Sequence, residues 1–190
     1  MGTNLVTRAE YKAYANLVSP TEDTKIDTLL PKVSALIKSI CRRSFNEYVD
    51  DAKVEYNDGG TKWIIPEEYP VILVSSLEYS ADFGKTYTPL VEFTDYAFSK
   101  MTQSIISVSA SIFKPVPNGY KITYTAGYET LPEDLKLAIF DLITYYMKND
   151  MAVHSNKAPG GNTVQIEYIT NTHLPAHIKR VLDQYSANYS

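Results

Sequence analysis

The clearest alternation of apolar and polar residues lies in "GYKITYTA", where every second residue from Tyr120 to Tyr124 is apolar. A two-residue period predicts a half-buried strand, because successive side chains point to opposite faces of a sheet. Gly127 follows and permits a turn. Thr130 and Glu133 have the spacing of a helix capping box, and Pro132 suits a first helical turn. The segment therefore predicts a strand, a turn and a helix, in that order.

The apolar residues that follow recur at the spacing of one helical face. They are Leu135, Ala138, Ile139, Leu142, Ile143 and Tyr146. A stripe of this width is typical of a core helix rather than a surface helix. We thus expect the strand and its helix to have a packing role in the fold.

Two further helices are predicted before residue 48. "VTRAEYKAYANL" carries a capping box formed by Thr7 and Glu10. A longer helix opens at Ser19-Pro20 and continues to "CRRSF", and Pro31 is expected to kink or restart it. The apolar stripe of this second helix consists of Ile26, Leu29, Leu30, Val33, Ile37 and Ile40.

Short apolar segments separated by turn residues fill 51–128, which predicts a β-rich middle. Asp58-Gly59-Gly60 predicts a hairpin turn, and the segment from Asp82 to Lys85 predicts a second, looser one. The polar stretch 151–172 predicts a long loop with one candidate strand, "VQIEYI". "HLPAHIKRVLDQYSANYS" predicts a short closing helix.

Composition narrows the possible classes of protein. The 190 residues are 44% hydrophobic and 21% charged, which favours a folded domain over a disordered or membrane-spanning chain. The net charge of −4 argues against tight binding to DNA phosphates. The 16 tyrosines fit either interfaces or the preference of strands for aromatic residues, and both interpretations stay open.

The sequence offers few groups for chemistry. Cys41, the single cysteine, lies in an apolar helical run and is expected to be buried. No leader-like segment opens the sequence, so assembly in the cytosol is expected. Glu133-Asp134 and Arg42-Arg43 suit the charge preferences of helix ends and need no catalytic role.

Metal and catalytic sites are not predicted. His173 and His177 are four residues apart, but Leu174-Pro175 separates them and no third ligand is close in sequence. His154 lies in a polar stretch without a companion motif, and "APGGN" lacks the lysine of a phosphate loop. We therefore expect no enzyme activity, no cofactor and no metal.

The order of these segments resembles the head-tail connector proteins of tailed bacteriophages, also called adaptor or head-completion proteins. The likeness rests on five segments in sequence order. They are "LVTRAEYKAYANL", "DTLLPKVSALIKSICRRSF", "YPVILVSSLEY", "ITYTAGYETLPEDLKLAIFDLITYYM" and "HLPAHIKRVLDQY". The middle from Asp82 to Phe113 and the stretch before the last helix are longer than in a compact member of the family.

The resemblance implies an α+β fold with a mainly helical body of about four helices and a β-rich middle insertion. One connector domain, 1–190, would combine a helical body at 1–48 and 129–150, the insertion at 51–128, a long loop at 151–172, and a closing helix and tail at 173–190. The resemblance also implies a structural virion protein at the head-tail interface, assembled in the host cytoplasm as a dodecameric ring under the portal. The ring would extend the DNA channel, without sequence-specific binding or contact with membrane, and would provide the docking surface for the next tail component.

The family likeness also points to a partner-binding segment. The closing helix is expected either to pack on its own subunit or to dock on the portal or a neighbouring subunit. Its candidate partner-binding residues are Ile178, Val181, Leu182, Tyr185 and Tyr189. The alternative function is a β-rich module that binds a peptide or glycan through its tyrosines.

Overall fold

The computed structural model describes residues 4–108, 112–148, 154–156, 165–167 and 174–187. Its helices are α1 (Arg8–Ala15), α2 (Asp23–Cys41), α3 (Glu133–Lys148) and α4 (Ala176–Tyr185), with a 3-10 turn at Pro20–Glu22 before α2. Its strands are β1 (Lys53–Asn57), β2 (Trp63–Ile64), β3 (Val71–Tyr79), β4 (Thr88–Pro89), β5 (Tyr96–Ser99), β6 (Ser104–Ser107), β7 (Tyr120–Ala126), β8 (His154–Asn156) and β9 (Gln165–Glu167). The predicted α+β class is confirmed.

The chain divides into two compact units. The helical unit consists of Gly2–Cys41 and Glu133–Ser186. The β unit consists chiefly of Arg42–Pro132. The chain enters the β unit after α2 and leaves it just before α3.

Helix α1 begins as its sequence predicts. The Thr7 backbone N–H donates to Glu10 Oε2 at 2.8 Å, and the Glu10 N–H donates to Thr7 Oγ1 at 3.2 Å. This capping box satisfies amide groups that have no partner within the helix. Asn16, in the left-handed conformation at φ 53°, ends the helix.

Helix α2 is continuous from Asp23 to Cys41, so the expectation that Pro31 restarts it is wrong. Leu30 and Val33, on either side of the proline, are buried. Their burial offsets the one backbone hydrogen bond that proline cannot donate. Cys41 is fully buried, as predicted, and its thiol donates to the Leu182 carbonyl at 3.6 Å.

Helix α3 begins at Glu133, later than a cap at Thr130 would place it. Leu131 is buried and belongs to the β unit, so the helix begins only after the chain has left that unit. The predicted apolar stripe is buried from Leu135 to Ile143, whereas its last member, Tyr146, is 37% exposed. Helix α4 packs on α3 and α2, which completes the helical unit.

The β unit contains two antiparallel sheets. Strand order is β1-β7-β3-β4 in the larger sheet and β2-β6-β5 in the smaller one. The alternation predicted for β7 is confirmed, since Tyr120, Ile122 and Tyr124 are buried and join a core that includes Ile64, Leu77 and Ile105. Strand β7 therefore forms the centre of the larger sheet.

The hairpin predicted at Asp58-Gly59-Gly60 is wrong. Strand β1 pairs with β7 and β2 pairs with β6, so this turn carries the chain from one sheet to the other. A Cβ on Gly59 would lie 2.5 Å from the Lys114 carbonyl oxygen, and the Gly60 N–H donates to the Phe113 carbonyl at 2.8 Å. Gly59 is thus needed for the close approach of 112–115, not for a two-strand turn.

The second predicted turn and the strand predicted in the long loop are both observed. The segment from Asp82 to Lys85 does connect paired strands, since Tyr79 of β3 lies opposite Thr88 of β4. The strand predicted in "VQIEYI" is observed as β9. Its partner β8 was not predicted, and the two strands form a separate two-stranded sheet.

Candidate interaction surface

The candidate chemical residues that the structure describes are not brought together. His177 has a side chain that is 67% exposed, and its Nε2 atom lies 3.5 Å from Asp141 Oδ2. His173 lies outside the described residues, and only the backbone of His154 is described, in β8. Glu133 accepts a hydrogen bond from Lys136 Nζ at 3.0 Å. Within the described parts of the chain, no group of three His, Cys, Asp or Glu side chains could hold a metal ion.

A buried polar network ties the loop after β2 to the larger sheet. Tyr124 Oη donates to Glu55 Oε2 at 2.7 Å and accepts a hydrogen bond from the Glu68 N–H at 3.1 Å. The Glu67 N–H donates to the same Glu55 oxygen at 3.1 Å, and Lys53 Nζ donates to Glu67 Oε2 at 2.7 Å. These bonds use side chains of β1 and β7 to fix the backbone at 67–68.

Burial sets the ionisation of this network. Burial raises the pKa of Glu55 above its ordinary value, although the hydrogen bonds from Tyr124 and from the Glu67 backbone oppose the shift. Burial, and then the hydrogen bond to Glu55, raise the pKa of the Tyr124 hydroxyl, which therefore stays protonated. Burial lowers the pKa of Lys53, but the Glu67 hydrogen bond and nearby carboxylates outweigh that effect and raise it. The network is arranged to hold backbone in place.

Arg42-Arg43 does not act mainly as a charged helix end. Arg42 takes the left-handed conformation at φ 54°, and Arg43 is only 2% exposed. The Arg43 guanidinium carbon lies 3.4 Å from the centre of the Tyr69 ring and 5.0 Å from that of Phe45. Such stacking is a packing role that the sequence did not indicate, because Tyr69, the ring nearest to the guanidinium, is distant along the chain.

The four described members of the predicted partner-binding set fall into two environments. Ile178 and Leu182 are fully buried in the helical unit, Val181 is half-buried, and Tyr189 lies outside the described residues. The Tyr185 hydroxyl donates to Asp134 Oδ1 at 2.7 Å. Packing on the home subunit therefore accounts for Ile178 and Leu182, and of the described members Val181 and Tyr185 are accessible in part. Partner binding by this set stays a prediction.

The β unit exposes large apolar side chains that sequence reasoning missed. Phe83 and Phe93 lie at loop tips, are 67% and 77% exposed, and have left-handed backbone angles of 63° and 64°. Trp63 and Ile65, at and just beyond β2, are 53% and 63% exposed. A left-handed phenylalanine is uncommon and costs backbone energy. The sequence gives no sign of this conformation.

The Phe83 tip is held by a second polar network. Asp82 Oδ1 accepts from Ser80 Oγ at 2.7 Å and from the Thr86 N–H at 2.9 Å, while Asp82 Oδ2 accepts from Thr86 Oγ1 at 2.7 Å. The bonds from Ser80, then Thr86, hold the pKa of Asp82 well below its ordinary value. The loop is therefore braced at neutral pH and presents its aromatic tip in one conformation.

These features define a structural α+β protein with braced loops and exposed apolar anchors, which is typical of an assembly component. No described helix combines the length and apolar character needed to cross a membrane. A family model described as head completion protein matches residues 4–187. The chain belongs to the head completion protein family, as its sequence resemblance indicates.

Known proteins agree with this assignment. The head completion protein of Escherichia phage T5 is 26% identical over 183 residues, which cover 95% of this chain and 97% of that protein. Chains from the neck of gene transfer agent (GTA) particles share the fold. One, from the empty particle with C6 symmetry, has a TM-score of 0.58 at 16% identity and covers 98% of this chain and 91% of its own. Another, from the native particle with C12 symmetry, has a TM-score of 0.57 at 17% identity and covers 100% and 97%. The predicted location in the head-tail region of a virion agrees with the neck location of these solved structures.

Proposed function

We propose that this chain is a ring-forming connector at the joint between a phage head and its tail. In this role a dodecamer lies under the portal, extends the DNA channel and offers a surface to the next tail component. The observation that carries the proposal is the family match over 4–187, because it spans both the helical unit and the β unit. GTA necks computed with C12 and with C6 symmetry are both compatible with twelve copies.

The chain's own chemistry agrees with a channel that DNA passes through. A net charge of −4 gives no overall attraction for phosphate, so the ring would not retain DNA by charge. The ionisable groups of the described network hold backbone rather than converge on a cleft. We therefore assign the chain no turnover, no cofactor and no metal.

Within the predicted partner-binding set, the residues on the accessible side of α4 are the ones that could contact a portal or a neighbouring subunit. Ile178 and Leu182 would hold α4 on its own unit, while Val181 and Tyr185 would meet the partner. Val181→Ser should then keep the fold and weaken attachment to heads. A chain ending at Asn171 should lose stability, because it uncovers Cys41 and leaves the pocket for Leu182 empty.

Assembly in the absence of this chain tests the function. Particles made without it should accumulate as DNA-filled heads that carry no tail, and purified protein should restore tail attachment when it is added back. Heads that gain tails at a normal rate without the chain would contradict the proposal. A monomeric protein that binds a peptide or glycan and has no effect on tail attachment would favour the alternative module.

A further inference from the structure

The loop 91–95, called here the Phe93 loop, is closed by internal hydrogen bonds although it is largely exposed. The Val91 N–H donates to Asp95 Oδ2 at 2.8 Å, and the Asp95 N–H donates back to the Val91 carbonyl at 2.8 Å. The Phe93 N–H donates to the Tyr96 carbonyl at 2.6 Å. Val91 itself is 59% exposed beside Phe93. The loop thus holds two apolar side chains in a fixed position outside the core, which lowers the entropy cost of binding.

The Phe93 loop and the exposed tryptophan lie at opposite edges of the smaller sheet. The sheet has the order β2-β6-β5, the loop leads directly into β5, and Trp63 lies on β2. We call residues 62–65 the Trp63 edge. Ile64, between the two exposed residues, is 1% exposed and faces the core, so Trp63 and Ile65 face away from it. One sheet therefore carries an apolar tip at one edge and an apolar strip at the other.

We propose that the Phe93 loop of one copy of this chain docks on the Trp63 edge of the next copy. The inference rests on the proposed ring. In a cyclic ring with head-to-tail contacts, each copy must offer two different patches that fit each other. Opposite edges of one sheet provide such a pair, and a contact between them passes from copy to copy in one direction.

Charge favours a second copy as the occupant. Glu92 is exposed in the Phe93 loop, and Lys62 is exposed in the Trp63 edge. The docked pair would bring an acidic tip to a basic edge, whereas two Phe93 loops or two Trp63 edges facing each other would bring like charges together. Phenylalanine and tryptophan at the centre are residues that interfaces favour as anchors.

A photo-crosslinking experiment in assembled particles tests the contact. Phe93 is replaced by the photoreactive analogue p-benzoylphenylalanine, and particles that have incorporated the chain are irradiated. The proposal expects a product with twice the mass of the chain, with the crosslinked peptide of the second copy containing residues 62–65. A product with a different virion protein, a crosslink elsewhere on the second copy, or no product at all would overturn the proposal.

A matched pair of substitutions gives an independent measurement. Phe93→Asn introduces a residue that tolerates the left-handed backbone, so the thermal midpoint should not fall. Incorporation of this variant into particles should drop at least tenfold. Phe83→Asn makes the same change at an equally left-handed tip and should leave incorporation within twofold. Equal incorporation of both variants, or equal loss in both, would contradict the assignment to Phe93. If the unmodified chain is missing from particle necks, the ring itself fails; if it is present without the 62–65 crosslink, only this contact fails.

Discussion

The helical unit and the β unit are stabilised in different ways. In the helical unit, apolar stripes on α2, α3 and α4 meet, and most of the burial can be read as a helical period. In the β unit, a core of alternating residues is supplemented by buried hydrogen bonds and by residues in left-handed conformations. Helical periodicity therefore accounts for most of the burial in the helical unit, whereas strand alternation accounts for only part of the stabilising contacts in the β unit. Substitutions in each unit test this difference.

The largest effect is expected from the helical core. Leu142 is fully buried on α3, so Leu142→Ala should lower the free energy of unfolding by about 2–5 kcal/mol through lost burial and a cavity. Leu137→Ala, on the same helix but 49% exposed, should change it by less than about 0.5 kcal/mol. Chemical denaturation of both variants measures the difference. Similar values for the two would show that α3 does not carry the core.

Backbone conformation should give the next largest effect, in the β unit. Gly127 has φ +120°, and a Cβ there would clash with the Phe45 carbonyl oxygen, so Gly127→Ala should cost roughly 2–4 kcal/mol. Gly60 also has a positive φ, but its nearest atom would be Pro115 Cβ at 3.7 Å. Gly60→Ala should therefore cost less, since only the backbone is strained. Equal losses in thermal denaturation would rule out the clash as the cause.

Removal of one buried hydroxyl should have a smaller effect. Tyr124→Phe leaves the Glu68 N–H without its acceptor and removes one of the two donors to Glu55, so about 1–3 kcal/mol of stability should be lost. Tyr14→Phe removes a hydroxyl that donates to Asp141 at the same 2.7 Å, but Tyr14 is 45% exposed. Water can replace that bond, so the free energy of unfolding should hardly change. A larger loss for Tyr14→Phe would contradict the role given to the buried network.

The smallest effect concerns pH. The pKa of Glu55 is raised in the folded protein, so the folded state binds its proton more tightly than the unfolded state. Stability from this group is therefore greatest at low pH and falls as pH rises from the ordinary glutamate value through the raised one. Glu55→Gln can still accept both hydrogen bonds but does not ionise, so its stability relative to the wild type should rise across that window. Denaturation curves recorded between about pH 4 and about pH 8 measure the difference in stability between the two proteins. A flat difference would mean that Glu55 titrates normally.

Sequence reasoning predicted the helices and the strand-to-helix junction at Gly127 because each has a local pattern, and the family resemblance implied the fold class. It misassigned Asp58-Gly59-Gly60 because a glycine turn within a hairpin and a glycine crossing between two sheets have the same local sequence. The Glu55 and Tyr124 pair was beyond its reach, since the two residues are 69 positions apart. Phe83 and Phe93 were missed for another reason, because a left-handed phenylalanine leaves no trace in composition or period.

A cryo-electron microscopy reconstruction of the particle neck would show whether this chain forms the ring at the head-tail joint. The map should show twelve copies in one ring between the portal and the first tail component, each containing both the helical unit and the β unit. Density for the chain elsewhere in the particle, or a neck that is complete without it, would contradict the account.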